Sequence, residues 1–272
     1  MHTRPHVQNH VVSLFYLIIV KTHHLYQHGN KLLSLLSPSD WQRWSPFIKI
    51  DELQKDQVLF NERKNADHVY FPVTCIVSMQ YPFEDGDMVG YAQVGHEGMV
   101  GIHAFMASQN CLSTAVVMVE GLAYKIPMQW MQNEFNSSPI FRQLLMVYLQ
   151  YWLMLTSRNV VCNRKHSIEQ QLARTLLVLQ DKASGNVLSI TQETLAQLLG
   201  VRREGVSMAA SHLQKLGAIS YIRGQLTVLD RALLQSLSCE CYEWLQTGYA
   251  CLMNKTQGLG VFSSLINQEP SH

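Results

Sequence analysis

The sequence is short of charge. Only 15% of its 272 residues are Asp, Glu, Lys or Arg, and the formal net charge is +1. No global positive field marks a polyanionic partner, so any nucleic-acid contact has to be local. Between residues 65 and 124 there is no Lys or Arg at all. Apolar runs of the roughly 20 residues that a spanning helix needs are missing too. The longest near the N-terminus, Val11–Val20, is followed by Lys21-Thr22-His23-His24 and not by a small-residue cleavage site. It reads as part of an N-terminal extension over residues 1–29, with no membrane role expected. The six cysteines, at 75, 111, 162, 239, 241 and 251, are scattered through a chain too long to need a disulfide scaffold. Reduced thiols and a cytoplasmic setting are the expectation. Gly-x-Ser-x-Gly, a phosphate loop and His-Glu-x-x-His are all absent. Hence no enzyme, no catalytic residue, no resident metal and no cofactor is expected.

What is present is enough for a packed core. Hydrophobic residues make up 47%, and the length suits two ordinary domains. From about Ile48 to Met128 the chain reads as closely spaced strands: Val69–Phe71, Ile76–Tyr81, Met88–Val94, Thr114–Val119 and Leu122–Ile126. They are separated by the turns Glu84-Asp85-Gly86-Asp87, Gly95-His96-Glu97-Gly98 and Glu120-Gly121. That pattern predicts a small antiparallel barrel or sandwich. A short helix, Lys31–Leu36, precedes it, and Pro38-Ser39-Asp40 caps a second starting at Trp41. From Pro139 to His166 there is neither Gly nor a further Pro, which predicts one long helix. Leu145, Tyr148, Trp152, Leu155, Asn159 and Cys162 recur at steps of three and four, the seam of a helix that pairs with its own copy. The same face could instead pack on the β domain. From Ser167 onward the chain reads as helical, ending in two short strands. The expected boundaries are 30–138, 139–166 and 167–250, with a tail over 251–272.

Function is written most clearly in residues 189–229. Thr191 is a good N-cap and Glu193 sits in the first turn of a short helix, Gln192–Leu199. Gly200 stops that helix, and a second runs from about Arg202 to Lys215. Ala196, Gly200 and Val206 have the sizes needed for close approach, the turn and the packing of one helix on the other. Two short helices joined this way hold the second free to enter a major groove. Ile219–Ile222, the turn Arg223-Gly224-Gln225 and Leu226–Leu229 follow as a β-hairpin wing. Four basic residues (Arg202, Arg203, Lys215 and Arg223) face one acid, Glu204, across this stretch. Arg203 and Glu204 are placed to read bases. Ser207, Ser211, His212, Lys215, Arg202 and Arg223 are candidates for phosphate or base contacts.

Several strings then carry a resemblance: His68-Val69-Tyr70-Phe71-Pro72, Val94-Gly95-His96-Glu97-Gly98-Met99-Val100-Gly101, Cys162-Asn163-Arg164-Lys165-His166-Ser167-Ile168-Glu169-Gln170, Gly200-Val201-Arg202-Arg203 and Cys239-Glu240-Cys241-Tyr242. Over roughly residues 30–245 the chain resembles the Crp/Fnr family of transcriptional regulators. The resemblance implies an α+β fold: an N-terminal cyclic-nucleotide-binding-like β-roll, a long dimerisation helix and a C-terminal winged helix-turn-helix. It also implies a homodimer on double-stranded, twofold-symmetric DNA operators, with RNA polymerase as a further partner. In the family's recognition helix Arg203 and Glu204 match an Arg-Glu pair, whereas Arg202 replaces a Ser and Met208 a later Arg. In cyclic-nucleotide-binding members a Glu holds the ribose and an Arg the phosphate. Here the Glu position is Ile102, and the Arg position falls near Cys111, Leu112 or Ser113. A buried phosphate without a cation is costly, so the chain is placed in a subgroup that lacks this pair and does not bind cyclic nucleotide.

Other readings stay open. Cys239-x-Cys241, or Cys162 four residues before His166, is the kind of pair a redox- or metal-responsive sensor uses, although neither pair alone completes a four-ligand site. The helix-turn-helix could also serve a ligand-sensing or protein-interaction module and contact protein. A signal from the β domain would pass through the basic hinge (Arg158, Arg164, Lys165) near Asn163–Ser167.

Overall fold

The computed structural model describes residues 29–105, 110–183 and 186–259. The run Val11–Val20, with the rest of residues 1–28, lies outside them, as do residues 260–272 of the expected tail. Among the described residues, seven strands build the N-terminal lobe: β1 (Lys49–Leu53), β2 (Val58–Phe60), β3 (His68–Pro72), β4 (Ile76–Pro82), β5 (Met88–Val94), β6 (Thr114–Val119) and β7 (Gly121–Pro127). They form two antiparallel sheets, ordered β1-β7-β3 and β2-β6-β4-β5. β4 is central in its sheet. It pairs with β5 from Val77↔Val94 to Pro82↔Met88, and with β6 from Ile76↔Val119 to Gln80↔Thr114. Its first five residues are buried, which explains a run with little alternation. Ile76 and Val77 on β4, Ala92 on β5, and Ala115 and Val117 on β6 are fully buried.

Helix α1 covers Pro38–Trp44 and starts earlier than Trp41. Ser37 is its cap, accepting from the Asp40 amide at 3.1 Å, and Pro38 takes the first helical position, where a missing N–H is harmless. The expected helix at Lys31–Leu36 is a 3-10 turn, Leu33–Leu35. Then come α2 (Met128–Ser137), the long α3 (Pro139–Lys165) and α4 (Ile168–Lys182). Ser138 caps α3, and a Ser167–Gln170 capping box starts α4 directly after the hinge residue His166. The C-terminal lobe continues with β8 (Val187–Ser189), α5 (Gln192–Leu199), α6 (Arg203–Lys215), β9 (Ile219–Ile222) and β10 (Gln225–Val228). The chain does not end in those strands. α7 (Arg231–Leu237) and α8 (Cys241–Leu259) follow, and α8 runs back along α3. There Tyr249 packs edge-on to Tyr151 at 5.0 Å, and the Arg158 guanidinium lies over Trp244 at 4.8 Å. The architecture is α+β: β-roll, long helix, winged helix-turn-helix.

The seam expected on α3 is not a free surface. Leu145, Tyr148, Trp152, Leu155 and Cys162 are buried in their own chain, and Asn159 is half-buried. Tyr148 accepts from the Met99 amide at 2.9 Å and donates to the Met99 carbonyl at 3.1 Å. Gly98 makes that approach possible, because a Cβ there would collide with the Tyr148 hydroxyl. Asn159 donates to the Tyr91 carbonyl (2.8 Å) and accepts from Arg174 (2.7 Å), so it ties β5 to α3 and α4. A second track at steps of three and four, Met146, Leu149, Leu153, Thr156 and Val160, faces outward. Leu153 on it is 65% exposed and Val160 59%. The helix carries two interleaved seams, and periodicity does not say which one the β-roll occupies.

A buried ion pair joins the lobes. The Glu97 carboxylate accepts from the Lys182 ammonium, which also donates to the Gln93 carbonyl, and both side chains are buried. Burial pushes the Glu97 carboxyl up, but the charge and hydrogen bond of Lys182 outweigh that and hold it below its ordinary range.

Candidate DNA interface, effector cleft and thiol cluster

The helix-turn-helix follows from local chemistry. The Thr191 hydroxyl accepts from the Thr194 amide at 3.1 Å and so satisfies one of the open donors of α5. Gly200 closes α5 in the left-handed region, at φ 63° and ψ 37°, and the Val201 amide then donates to the Ala196 carbonyl at 3.1 Å. Ala196 is buried, and Val206 is fully buried with Ala209, Ala210 and Leu213 along the inner face of α6. The opposite face is open. Glu204, Ser207, Ser211 and Lys215 are exposed on it, with Arg202 and Arg203 exposed at its start. Met208 lies among them at 75% exposure, one turn after Glu204, and the motif reading gave it no role. His212 is placed differently from the rest. Its Nδ1 is 2.6 Å from a Glu169 carboxylate oxygen, which holds the ring against the start of α4 at the flank of this face. At the wing tip Arg223 (φ 50°) and Gly224 (φ 80°) are consecutive left-handed residues, the backbone of a two-residue hairpin turn, and Arg223 is exposed.

A cleft of about 570 Å³ lies between the β-roll and α3. Met79, Tyr91, Ile102 and His103 line it from the β-roll, Trp152 and Leu153 from α3, and Arg174 from α4. Ile102 forms buried wall, Cys111 is buried, and Leu112 is an exposed rim residue. Ser113 is hydrogen-bonded to the Tyr91 hydroxyl at 3.0 Å. Among the described lining residues Arg174 is the one cation, and its guanidinium already donates to Asn159. Burial pushes the His103 imidazole down to about 4, so it is neutral near pH 7.

The two pairs noted separately in the sequence come together. Cys162 and His166 end α3, while Cys239 and Cys241 bracket the start of α8. Their four donor atoms lie within 4.8 Å of one another. The absence of a four-ligand set holds only for each pair alone, because the fold supplies the other half from across the chain. The Cys162 and Cys239 sulfurs are 3.5 Å apart. The hydrogen bond between them lowers the Cys239 thiol and, with burial, raises that of Cys162.

Two family models match the chain. The Crp-like helix-turn-helix domain covers residues 170–237, and the cyclic nucleotide-binding domain covers residues 50–138. Among curated proteins, sequence comparison finds no match. Solved structures do match. FixK2 from Bradyrhizobium japonicum has a TM-score of 0.62 at 17% identity, over 71% of this chain and 98% of its own. CLP, the c-di-GMP responsive global regulator of Xanthomonas campestris, gives 0.58 at 18%, over 71% and 99%. A Crp/Fnr-family transcriptional regulator from Thermus thermophilus gives 0.58 at 18%, over 70% and 98%. At such identities the structures speak for the fold, and the family models speak for its two domains. A β-roll joined by a long helix to a DNA-binding winged helix-turn-helix defines a transcription regulator rather than an enzyme. The chain carries both domains of a Crp/Fnr-type transcription regulator.

Proposed function

We propose that the protein is a homodimeric, sequence-reading regulator whose cleft does not take a cyclic nucleotide. The observation that carries the DNA reading is the outer face of α6. Glu204, Ser207, Met208, Ser211 and Lys215 stand open side by side on a helix whose other face is locked into the lobe. Arg203 can donate two bonds to a guanine edge, Glu204 can accept from a cytosine amine, and Met208 suits a thymine methyl. Arg202, Lys215 and Arg223 neutralise phosphates.

The exposed track on α3 supports pairing with a second copy. Leu149, Leu153, Thr156 and Val160 also line the cleft, so a partner helix laid on them would cover its open side. A cleft of about 570 Å³ suits a small molecule, but its single cation is engaged by Asn159. An uncharged effector fits that lining better than a phosphate does. Signal transfer would run through the hinge at residues 163–167. In this arrangement Gly200 to Glu204 share a groove with Asp87, Met88 and Val89, which puts the acidic β4–β5 turn beside the start of α6. That turn repels phosphate, so DNA reading calls for the C-terminal lobe to swing away. Such a regulator would work beside RNA polymerase in the cytoplasm. No described helix is long and apolar enough to cross a membrane.

Selection of genomic fragments by the purified protein at stepped salt tests the DNA reading. Enriched fragments whose binding falls steeply with salt are expected. No enriched DNA at any salt, with a protein captured instead, would favour the protein-contacting reading. Calorimetry with cyclic AMP and cyclic GMP is expected to show no binding heat.

A further inference from the structure

Four donor side chains that DNA reading does not use converge where α3 ends and α8 begins. We propose that Cys162, His166, Cys239 and Cys241 bind one zinc ion, tetrahedrally, as a clasp across the hinge between the two lobes.

The geometry is that of the ion. Zinc takes thiolate sulfur at about 2.3 Å and imidazole nitrogen at about 2.0 Å, which sets neighbouring donors in a tetrahedron roughly 3.5–3.8 Å apart. Here the Cys162 and Cys239 sulfurs are 3.5 Å apart, and the Cys241 sulfur is 3.9 Å from His166 Nδ1. The orientation of His166 points the same way. Its Nε2 is 3.1 Å from a Glu240 carboxylate oxygen. A carboxylate there keeps the ring proton on Nε2 and leaves the Nδ1 lone pair facing the sulfurs, the arrangement that supports metal-bound histidines. Glu240 lies between two of the ligands in sequence, so one short segment supplies two donors and the group that orients a third.

Packing alone does not account for the cluster. The three cysteines form a buried group of their own, separate from the main hydrophobic core. Three thiolates and an imidazole around Zn²⁺ leave one net negative charge. Arg174 acts on Cys162 and Arg158 on Cys241 to offset it. Cys241 also opens α8, whose N-terminus would favour the ion-bound thiolate against the burial that pushes the free thiol up. On binding, each thiol that is still protonated releases its proton to solvent, and no electron moves. The ion would tie the last turn of α3 and the hinge residue His166 to the segment just beyond the matched helix-turn-helix domain, which ends at residue 237. The site stands on its own donors and does not depend on the DNA reading.

The test uses the full chain, purified with reductant, stripped with chelator and titrated with Co²⁺ under anaerobic conditions. One equivalent per chain is expected, with the intense visible bands of tetrahedral cobalt and a thiolate-to-cobalt charge-transfer band. Zn²⁺ should displace it. Cys239→Ser and Cys241→Ser should lose these bands. Cys251→Ser, at an exposed thiol outside the cluster, should keep them. His166→Cys should keep a tetrahedral spectrum with shifted bands. Glu240→Gln should weaken binding by on the order of 10–100-fold. The unsubstituted chain decides the matter even if a serine variant fails to fold. Weak octahedral cobalt bands, or no cobalt uptake by fully reduced protein, would overturn the proposal. So would a Cys162–Cys239 disulfide whose reduction does not restore cobalt binding.

Discussion

The two lobes use their glycine-bounded turns in opposite ways. In the C-terminal lobe Gly200 turns the chain so that Arg203 and Glu204 face solvent. In the β-roll the turn Gly95-His96-Glu97-Gly98 faces inward: Glu97 holds Lys182, and Gly98 gives way to the Tyr148 hydroxyl. One turn presents side chains to a partner, and the other is a socket for the chain's own helices. Family strings therefore mark the fold of both lobes, while what each residue touches decides its role.

The largest expected effect comes from breaking the socket. Glu97→Ala leaves the Lys182 ammonium buried without its partner, and urea unfolding should show a loss of about 3–5 kcal/mol. Glu97→Met together with Lys182→Met should recover much of it. Because the folded Glu97 carboxyl lies below its ordinary 4.5, its contribution is present above that value and is lost as pH falls through the depressed one. Unfolding of the Glu97→Gln variant should be correspondingly less sensitive to acid.

The next effect separates the two tracks on α3. Leu153→Asp with Val160→Asp changes exposed residues, so the fold should survive while light scattering reports a monomer. Operator affinity should then fall by at least about 100-fold, as joint engagement of two half-sites is lost. Trp152→Asp with Leu155→Asp strikes the β-roll contact instead and should unfold the protein. A folded monomer from that second pair would reverse the assignment of the two faces.

Smaller effects test the solvent-facing side of the comparison. Arg203→Ala should cost about 1–3 kcal/mol at one base position and relax the preference there. Lys215→Ala and Arg223→Ala should weaken all sequences alike and lower the salt slope by about 1 each. Equal losses on every sequence for Arg203→Ala would demote it to a phosphate contact.

What the sequence made legible was mostly local. The Thr191 cap, the Gly200 turn and the ends of α5 depend on residues a few positions apart, and they fall where the pattern puts them. β3 to β7 were readable from apolar runs between turns. β1, Lys49-Ile50-Asp51-Glu52-Leu53, was not, because this strand is largely exposed and is held by backbone pairing to β7. α8 was hidden for a related reason. Its place is set by contacts with α3, and Gly248, a residue type that weakens a helix, is the close-approach point against Met154. The thiol cluster was half visible, as two pairs, but Cys162 and Cys239 are 77 residues apart and only the fold joins them. The choice between the two seams of α3 was likewise a tertiary matter.

The most direct test of the central claim is a footprint on a selected genomic fragment, with Arg203→Ala run beside the unsubstituted chain. The account predicts twofold-symmetric protection, with half-site centres about 34–36 Å apart along the duplex, and loss of that symmetry in the variant while nonspecific binding persists. A single unsymmetric protected patch that the variant leaves unchanged would contradict it.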